Sequence, residues 1–252
     1  TSPTTSPTIR PARGRTPSAY RAPCHRAAEE ASRAAARGLY ADAGIRVLAA
    51  LDGSSPAARR VLLSVLPALG GAPALAAARR DLAHGDAEVA EAAIRALGEW
   101  PDPGPAPDLL TIARNDADPA RRILALRGYV RLAGLPAKRP SAETVTMFAS
   151  ILAAAPRPEE VKLVLAGVAQ VADPGALALA QSRLADPAVR DEAASAVVSI
   201  ALAIRDTNPE EAAAAVGQAL SAGTAGKTGE RAKKLLGDLE KAAEFVTAWE
   251  VS

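Results

Sequence analysis

DPAVR, at residues 186–190, is the clearest copy of a short phrase that recurs along the chain. The phrase also occurs as SPAAR at 55–59 and as DPARR at 118–122, with weaker copies starting at Asp86 and Arg157. Each copy opens a stretch rich in alanine and leucine, and successive openings lie 31, 32, 39 and 29 residues apart. Repetition on this scale predicts a stacked array of helix pairs.

Apolar residues keep one register along the five predicted first helices, at 56–69, 87–99, 119–133, 158–171 and 187–204. Seven residues past the first residue of each helix lie Leu63, Ile94, Leu126, Leu165 and Ala194. Ten residues past it lie Leu66, Leu97, Tyr129, Val168 and Val197. Positions three apart share a helix face, so each pair predicts one buried stripe. Second helices are predicted at 73–83, 105–114, 141–154, 174–185 and 209–221.

Composition agrees with an all-α fold. Alanine accounts for 63 of the 252 residues, whereas aromatic residues make up only 3%. Small side chains favour close helix packing and high helix propensity, and they offer little to a β-sandwich. The sequence therefore predicts a right-handed α-α superhelix of about five helix pairs.

Helix starts are marked by capping chemistry. Asp118, Asp173 and Asp186 each precede a proline, which supplies an N-cap acceptor followed by a residue preset for the first helical turn. The run 208–211 (NPEE) places an acidic residue near the position that completes a capping box.

Four regions are expected along the chain. Residues 1–26, rich in Thr, Ser, Pro and Arg, predict a disordered arm. Capping helices are predicted at 27–53, the repeats at 54–222, and a C-terminal helix at about 228–247 within a closing segment at 223–252. The helical pattern is expected to be lost at Trp249. An inserted loop at 134–140 accounts for the longest repeat interval.

Charge is unevenly distributed. Residues 1–40 carry seven arginines against two glutamates, so the remainder of a chain with net charge +2 is acidic at −3. Such a body offers no basic surface for a nucleic acid, and no apolar run is long enough to span a membrane. Cys24 is the single cysteine, so cysteine usage leaves the compartment open. A bacterial origin is expected, and the periplasm or secretion is favoured over the cytoplasm.

The stretch 184–194 (LADPAVRDEAA), and nearly as well 86–98, resembles HEAT repeats of the short bacterial kind similar to phycobilisome-lyase HEAT-like repeats. This resemblance covers about residues 54–222 and implies an architecture of stacked helix pairs. The stretch from Leu97 to the C-terminus also resembles the HEAT segment of large bacterial proteins, in which such an array precedes a sugar-active or carbohydrate-binding β-domain. There, Trp249 would begin the first strand of the next domain.

Catalytic and metal chemistry finds little support in the sequence. Gly226-Lys227-Thr228 lacks the preceding glycine and strand of a phosphate loop. Cys24 and His25 are neighbours in the predicted arm, where nothing holds them as a reactive pair. His25 and His84 are the only histidines, which nearly excludes a histidine metal site. Catalytic residues, metal and cofactor are therefore all expected to be absent.

Arginines supply the candidate interaction residues. Arg59, Arg122 and Arg190 share one repeat register and are expected to form a structural ladder with Asp86, Asp118 and Asp186. No such register explains four arginines on or near the second helices, which line the concave face in HEAT arrays: Arg79, Arg80, Arg114 and Arg183. These four are the candidate partner-binding residues. Trp100, in an inter-helix turn, is expected either to cap the apolar seam beneath it or to anchor a partner.

Three functions remain open from the sequence. The first is a non-enzymatic, monomeric scaffold that binds a protein partner. The second is a structural spacer within a larger secreted carbohydrate-processing protein, of which this chain would be a segment. The third is a lyase-like accessory role, which rests on repeat similarity alone.

Overall fold

The computed structural model describes residues 42–136 and 138–250, with side chains as far as Ala243. The chain divides into two units, Thr1–Arg46 and Val47–Ser252. Of the first unit, residues 42–46 are described, and they are helical. The predicted arm at 1–26, the Cys24–His25 neighbours and the helix expected over 27–41 lie outside the described residues. The second unit contains the predicted repeats.

Twelve helices are present in the described part of the chain, and ten of them form five consecutive pairs. Helix α1 covers residues 42–51. The pairs are Pro56–Leu69 (α2) with Gly71–Asp81 (α3), Ala87–Gly98 (α4) with Ala106–Asn115 (α5), Pro119–Ala133 (α6) with Ser141–Leu152 (α7), Pro158–Val168 (α8) with Pro174–Gln181 (α9), and Arg190–Ile204 (α10) with Pro209–Ser221 (α11). Helix α12, Gly226–Glu250, follows them. The predicted all-α fold of paired helices is confirmed, and the handedness of the superhelix stays a prediction.

The pairs are stacked in chain order. The first helices form one layer, in which α2 packs on α4, α4 on α6, α6 on α8, α8 on α10 and α10 on α12. The second helices form another layer, with α5 against α7, α7 against α9 and α9 against α11. Because each pair buries its apolar side against its neighbours, the core is continuous along the array, as in α-α solenoids.

The core follows the apolar register of the sequence. All ten residues at the two register positions of the first helices are buried, from Leu63 and Leu66 in α2 to Ala194 and Val197 in α10. Phe148 in α7 and Ile200 in α10 are also fully buried, among many alanines. Small side chains let neighbouring helices approach closely, so the interior is filled mainly by aliphatic residues.

One such approach is a glycine-to-glycine crossing between α4 and α6. A Cβ placed on Gly128 would lie 2.8 Å from the Cα of Gly98 and 3.1 Å from Cδ1 of Leu109. Arg131, one turn further along α6, donates hydrogen bonds to the carbonyl oxygens of Gly98 and Trp100, at 2.9 and 3.0 Å. The backbones of α4 and α6 are therefore in contact at this crossing. Only glycine permits so close an approach, because it has no Cβ.

Two of the three aspartates predicted as N-caps, Asp118 and Asp173, cap their helices, whereas Asp186 does not cap α10. The carboxylates of Asp118 and Asp173 accept hydrogen bonds from backbone N–H groups two residues on, at 2.8 and 2.7 Å. Asp86 accepts two such bonds. Asn208 makes no side-chain cap bond, so the predicted capping box before α11 is wrong. A box-like contact occurs instead at the start of α8, where the Glu160 carboxylate accepts from the backbone N–H of Arg157.

Several helix boundaries differ from the prediction by two or more residues, and two of these differences have identifiable local reasons. Helix α10 begins at Arg190 instead of residue 187, because Asp186 closes a turn over 187–189 and Val189 has φ −134° and ψ 8°. Helix α9 ends at Gln181 instead of 185, because the following residues form tighter i to i+3 bonds, such as Leu184 N–H to the Gln181 carbonyl at 3.0 Å.

The C-terminal end also differs from the prediction. Helix α12 continues through Trp249 to Glu250. The expectation that the helical pattern is lost at Trp249, and that this residue begins a strand, is therefore wrong. Val251 and Ser252 lie outside the described residues.

Candidate interaction surface

Successive second helices are joined by side-chain hydrogen bonds, which we call the second-helix ladder. Each step joins one second helix, or its N-cap, to the next. The steps are Arg79 to Asp108, Arg114 to the Ser150 carbonyl, Ser141 to Asp173, and Gln181 to Gln218. The ladder therefore holds neighbouring pairs together along the layer where the partner-binding residues were predicted.

Two of the four predicted partner-binding arginines belong to this ladder. The Arg79 guanidinium donates to the Asp108 carboxylate at 2.9 Å and to the Gly104 carbonyl at 3.3 Å. Arg114 donates to the Ser150 carbonyl at 3.1 Å. Both side chains thus have a structural role that the sequence prediction did not assign to them.

The other two arginines lie in different surroundings. Arg80 is 55% exposed and pairs with Asp52 at 3.2 Å, an exposed contact of small energetic value. Arg183 follows α9, and its Nε is buried without a hydrogen-bond partner among the described atoms. The four arginines are spread over three second-layer segments and are not gathered into one cluster.

Trp100 is buried, with 1% of its surface exposed. Its ring belongs to the hydrophobic core that also contains Leu97 and Leu109. The predicted capping of the apolar seam agrees with this position. The alternative, a partner anchor, needs an accessible side chain, so Trp100 is withdrawn from the candidate surface.

The predicted register ladder of arginines has different partners from those expected. Arg59 does not reach Asp86: it forms two hydrogen bonds with the Asp81 carboxylate, at 2.7 and 2.9 Å, and a third with the Leu51 carbonyl. Arg190 donates to the Leu184 carbonyl at 3.1 Å. Arg59 therefore bonds to the end of its own second helix and to the preceding segment, and Arg190 bonds to the preceding segment.

Arg122, the third arginine of this register, has no hydrogen bond or ion pair from its side chain to any described residue. Asp118, one of the expected acceptors, instead caps α6 and lies 4.0 Å from the neighbouring Arg121. No acidic residue takes the place of Asp81 in this pair, because α7 ends at Leu152 and is followed by Ala153 and Ala154.

Arg122 lines a cleft of about 580 Å³ formed by residues of the second, third and fourth pairs. Two other guanidinium groups, of Arg114 and Arg157, share the lining with the Glu160 carboxylate. Arg157 donates to one oxygen of Glu160 at 2.6 and 2.8 Å, and the Glu160 side chain is 6% exposed. The remaining walls are apolar. Three cations facing one carboxylate give the cleft a positive balance.

Tyr129 lies in the core near these cations. Burial raises the pKa of its phenol above the ordinary value of 10.0, and the charges of Arg114 and Arg139 partly oppose that shift. The phenol is therefore neutral at physiological pH.

Sequence reasoning named Arg114 as a site residue but assigned Arg122 to a structural ladder and did not single out Arg157. The sequence does contain a signal for Arg122: it holds the register position of Arg59, but the second helix of its pair ends without an acidic residue. No comparable signal marks Arg157, whose place at the cleft depends on how α8 packs on α6.

No described helix is long and apolar enough to cross a membrane. Groups of three or more His, Cys, Asp or Glu side chains arranged to hold a metal ion are absent from the residues that the structure describes.

No family model matches the sequence, and no curated protein matches it. Among solved structures, the chain is similar to an engineered protein, the Northeast Structural Genomics Consortium target OR329, at 18% identity and a TM-score of 0.41. That match covers 78% of this chain and 96% of the engineered one. The five helix pairs stacked in chain order decide the architecture. The chain is a helical repeat protein.

Proposed function

We propose that this helical repeat protein is a non-enzymatic scaffold of the HEAT-like class that binds a protein partner along its second-helix layer. The observation that supports the proposal is the chain-order stacking of five helix pairs, which exposes the second helices as one extended surface. Extended surfaces of this kind are what helical repeat arrays use to bind partners. Fold alone does not imply function, so the residues exposed on this surface decide what it binds.

The accessible cations of that layer are the contacts we assign to the partner. Arg80 is largely exposed, and the Arg183 side chain is partly exposed. Arg79 and Arg114 each spend part of their donor capacity on the second-helix ladder, and an arginine fork has five N–H donors in all. Their remaining donors suit an acidic partner surface.

The test is capture of a partner from an extract of the native host by chemical cross-linking, with the full chain as bait. We expect the capture of a specific protein by the wild-type chain and its loss when Arg79, Arg80, Arg114 and Arg183 are all changed to glutamine. Because this variant also breaks the Arg79–Asp108 step, Asp108→Asn serves as the matched control: it weakens the same step but keeps every arginine.

Capture that persists in the fourfold variant would contradict the assignment of the partner to the second-helix layer. Loss of capture in both variants would trace the effect to the ladder and would also contradict the proposed contacts. Size-exclusion chromatography with light scattering tests the accompanying expectation that the free chain is a monomer.

A further inference from the structure

The side-chain bonding of Arg122 is unlike that of the other two arginines in its register. Arg59 is neutralised by two bonds to Asp81, and Arg190 donates to a backbone carbonyl. Arg122 is only partly exposed and has neither kind of partner in the described chain. A guanidinium that is partly removed from water gains free energy when it receives a carboxylate, because charge-assisted hydrogen bonds then replace water contacts.

The cleft around Arg122 has room for such a group. Its volume of about 580 Å³ falls within the range of ligand pockets, and it is bounded by Pro119, Ile123, Leu126 and Pro156 as well as by the charged groups. Apolar walls lower the local dielectric and strengthen an ion pair formed inside. The cleft can therefore hold a short side chain whose stem is apolar and whose tip is anionic.

Fork geometry and the first pair indicate the kind of anion. Arg157 is already paired with Glu160, so a bound anion would contact Arg122 directly. The remaining donors of Arg114 and Arg157 line the same cleft, and the Glu160 carboxylate would repel the anion. A singly charged carboxylate matches the planar fork of an arginine in a bidentate way. Arg59, the equivalent arginine of the first pair, is bound by the carboxylate of Asp81. That pairing favours a carboxylate at Arg122.

We propose that the cleft around Arg122 binds an acidic side chain of a partner protein, with Arg122 as its principal contact. This inference rests on the proposed scaffold function and names the chemistry of one partner contact. In the first pair, Asp81 supplies this carboxylate from within the chain, and at Arg122 the partner supplies it.

The experiment follows two NMR signals in the ¹⁵N-labelled full chain. One is the Nε–Hε signal of Arg122, and the other is the backbone amide of Ile123, which also lines the cleft and reports binding in the variants. The probe is the tripeptide acetyl-Ala-Glu-Ala-amide, and acetyl-Ala-Gln-Ala-amide is the matched neutral peptide. Arg122→Gln removes the contact, and Arg127→Gln is the control, because Arg127 is exposed on the same helix and does not line the cleft. We expect a saturable shift with the glutamate peptide, weakened about tenfold or more in Arg122→Gln and unchanged in Arg127→Gln.

Three results would overturn the proposal. The first is an equal response to the glutamine peptide or an equal affinity in Arg122→Gln. The second is tighter binding of inorganic phosphate than of the glutamate peptide, which would reject the carboxylate assignment. The third is a fall in unfolding temperature for Arg122→Gln as large as that for Arg59→Gln, which would reveal a partner of Arg122 within the chain. We expect the unfolding temperature of Arg122→Gln to stay near that of wild type.

Failure of this proposal is distinguishable from failure of the scaffold proposal. If the tripeptide does not bind while partner capture still depends on the second-helix arginines, the cleft assignment alone is wrong. If the tripeptide binds at Arg122 but no partner is captured, the scaffold proposal is the one contradicted.

Discussion

Replacement of Gly128 by alanine should destabilise the protein even though alanine is the better helix former. The new Cβ would stand 2.8 Å from the Cα of Gly98 and 3.1 Å from a methyl carbon of Leu109. Carbon atoms pack best at roughly 3.5 to 4.0 Å, so α4 and α6 would have to separate by about 0.7 Å or more. Backbone cannot rotate away as a flexible side chain would, and the separation would also stretch the bonds from Arg131 to the Gly98 and Trp100 carbonyls.

Two opposing terms set the size of the effect. Alanine in place of glycine within a helix contributes up to about 1 kcal/mol of stability. Overpacking of a tight interface costs about 1 to 3 kcal/mol, and the rigid neighbour at Gly128 places the cost toward the upper end. The net expectation is a loss of about 1 to 2 kcal/mol in the free energy of unfolding.

The assay is urea denaturation followed by circular dichroism, with Gly217→Ala as the matched control. Gly217 lies inside α11 and has open space where a Cβ would be built. That variant should therefore gain about 0.5 to 1 kcal/mol from helix propensity alone. Opposite signs for the two variants support the backbone contact between α4 and α6, and a Gly128→Ala variant as stable as Gly217→Ala would refute it.

Three further predictions concern the core and its ion pair. Asp81→Asn should lower the free energy of unfolding by roughly 3 kcal/mol in urea denaturation, because it leaves the Arg59 guanidinium, 12% exposed, without its counter-charge; a change below that of an exposed pair would contradict a structural role. Trp100→Ala should cost about 3 to 5 kcal/mol by the same measurement, and a near-neutral result would mean that the ring is not in the core. Because the pKa of Tyr129 is raised on folding, the phenol's contribution to the free energy of unfolding is complete below pH 10 and falls as pH rises through the folded-state pKa. Tyr129→Phe should therefore reduce the loss of stability that wild type shows at alkaline pH. An unchanged pH profile of stability would count against burial of the phenol.

The helices could be predicted well because their signals are local. Proline at the first helical position fixes the starts of α2, α6 and α11 at Pro56, Pro119 and Pro209, as the sequence indicates. The three-residue spacing of apolar side chains then identifies the buried face. Where a boundary moved, as at Val189, a single residue left helical geometry in a way that composition does not reveal.

Partners across the array could not be predicted by the same means. The periodicity turns Arg59 toward the end of the preceding segment, but it does not say which of several acidic residues lies within reach. Asp81, 22 residues away, is the residue that α3 brings there. The lack of an acidic partner for Arg122 becomes apparent only when the first and third pairs are compared as folded units. The loop inserted before α7 shifts the position equivalent to Asp81 along the sequence.

Glycines gave the least warning of their role. From the sequence alone, a glycine within a helix suggests a weak point, since it costs helix propensity. Gly98 and Gly128 lie 30 residues apart, and their contact depends on the crossing of α4 with α6. No periodic pattern predicts which two glycines will face each other.

The glycine crossing has a consequence for how such a chain diversifies. Repeat proteins grow by duplicating a unit and placing the copy beside a new neighbour. A copy of the second pair can stack at its original spacing only on a neighbour that lacks a Cβ opposite Gly98. The second and third pairs are therefore matched to each other, and exchange or duplication of one without the other would demand a compensating glycine.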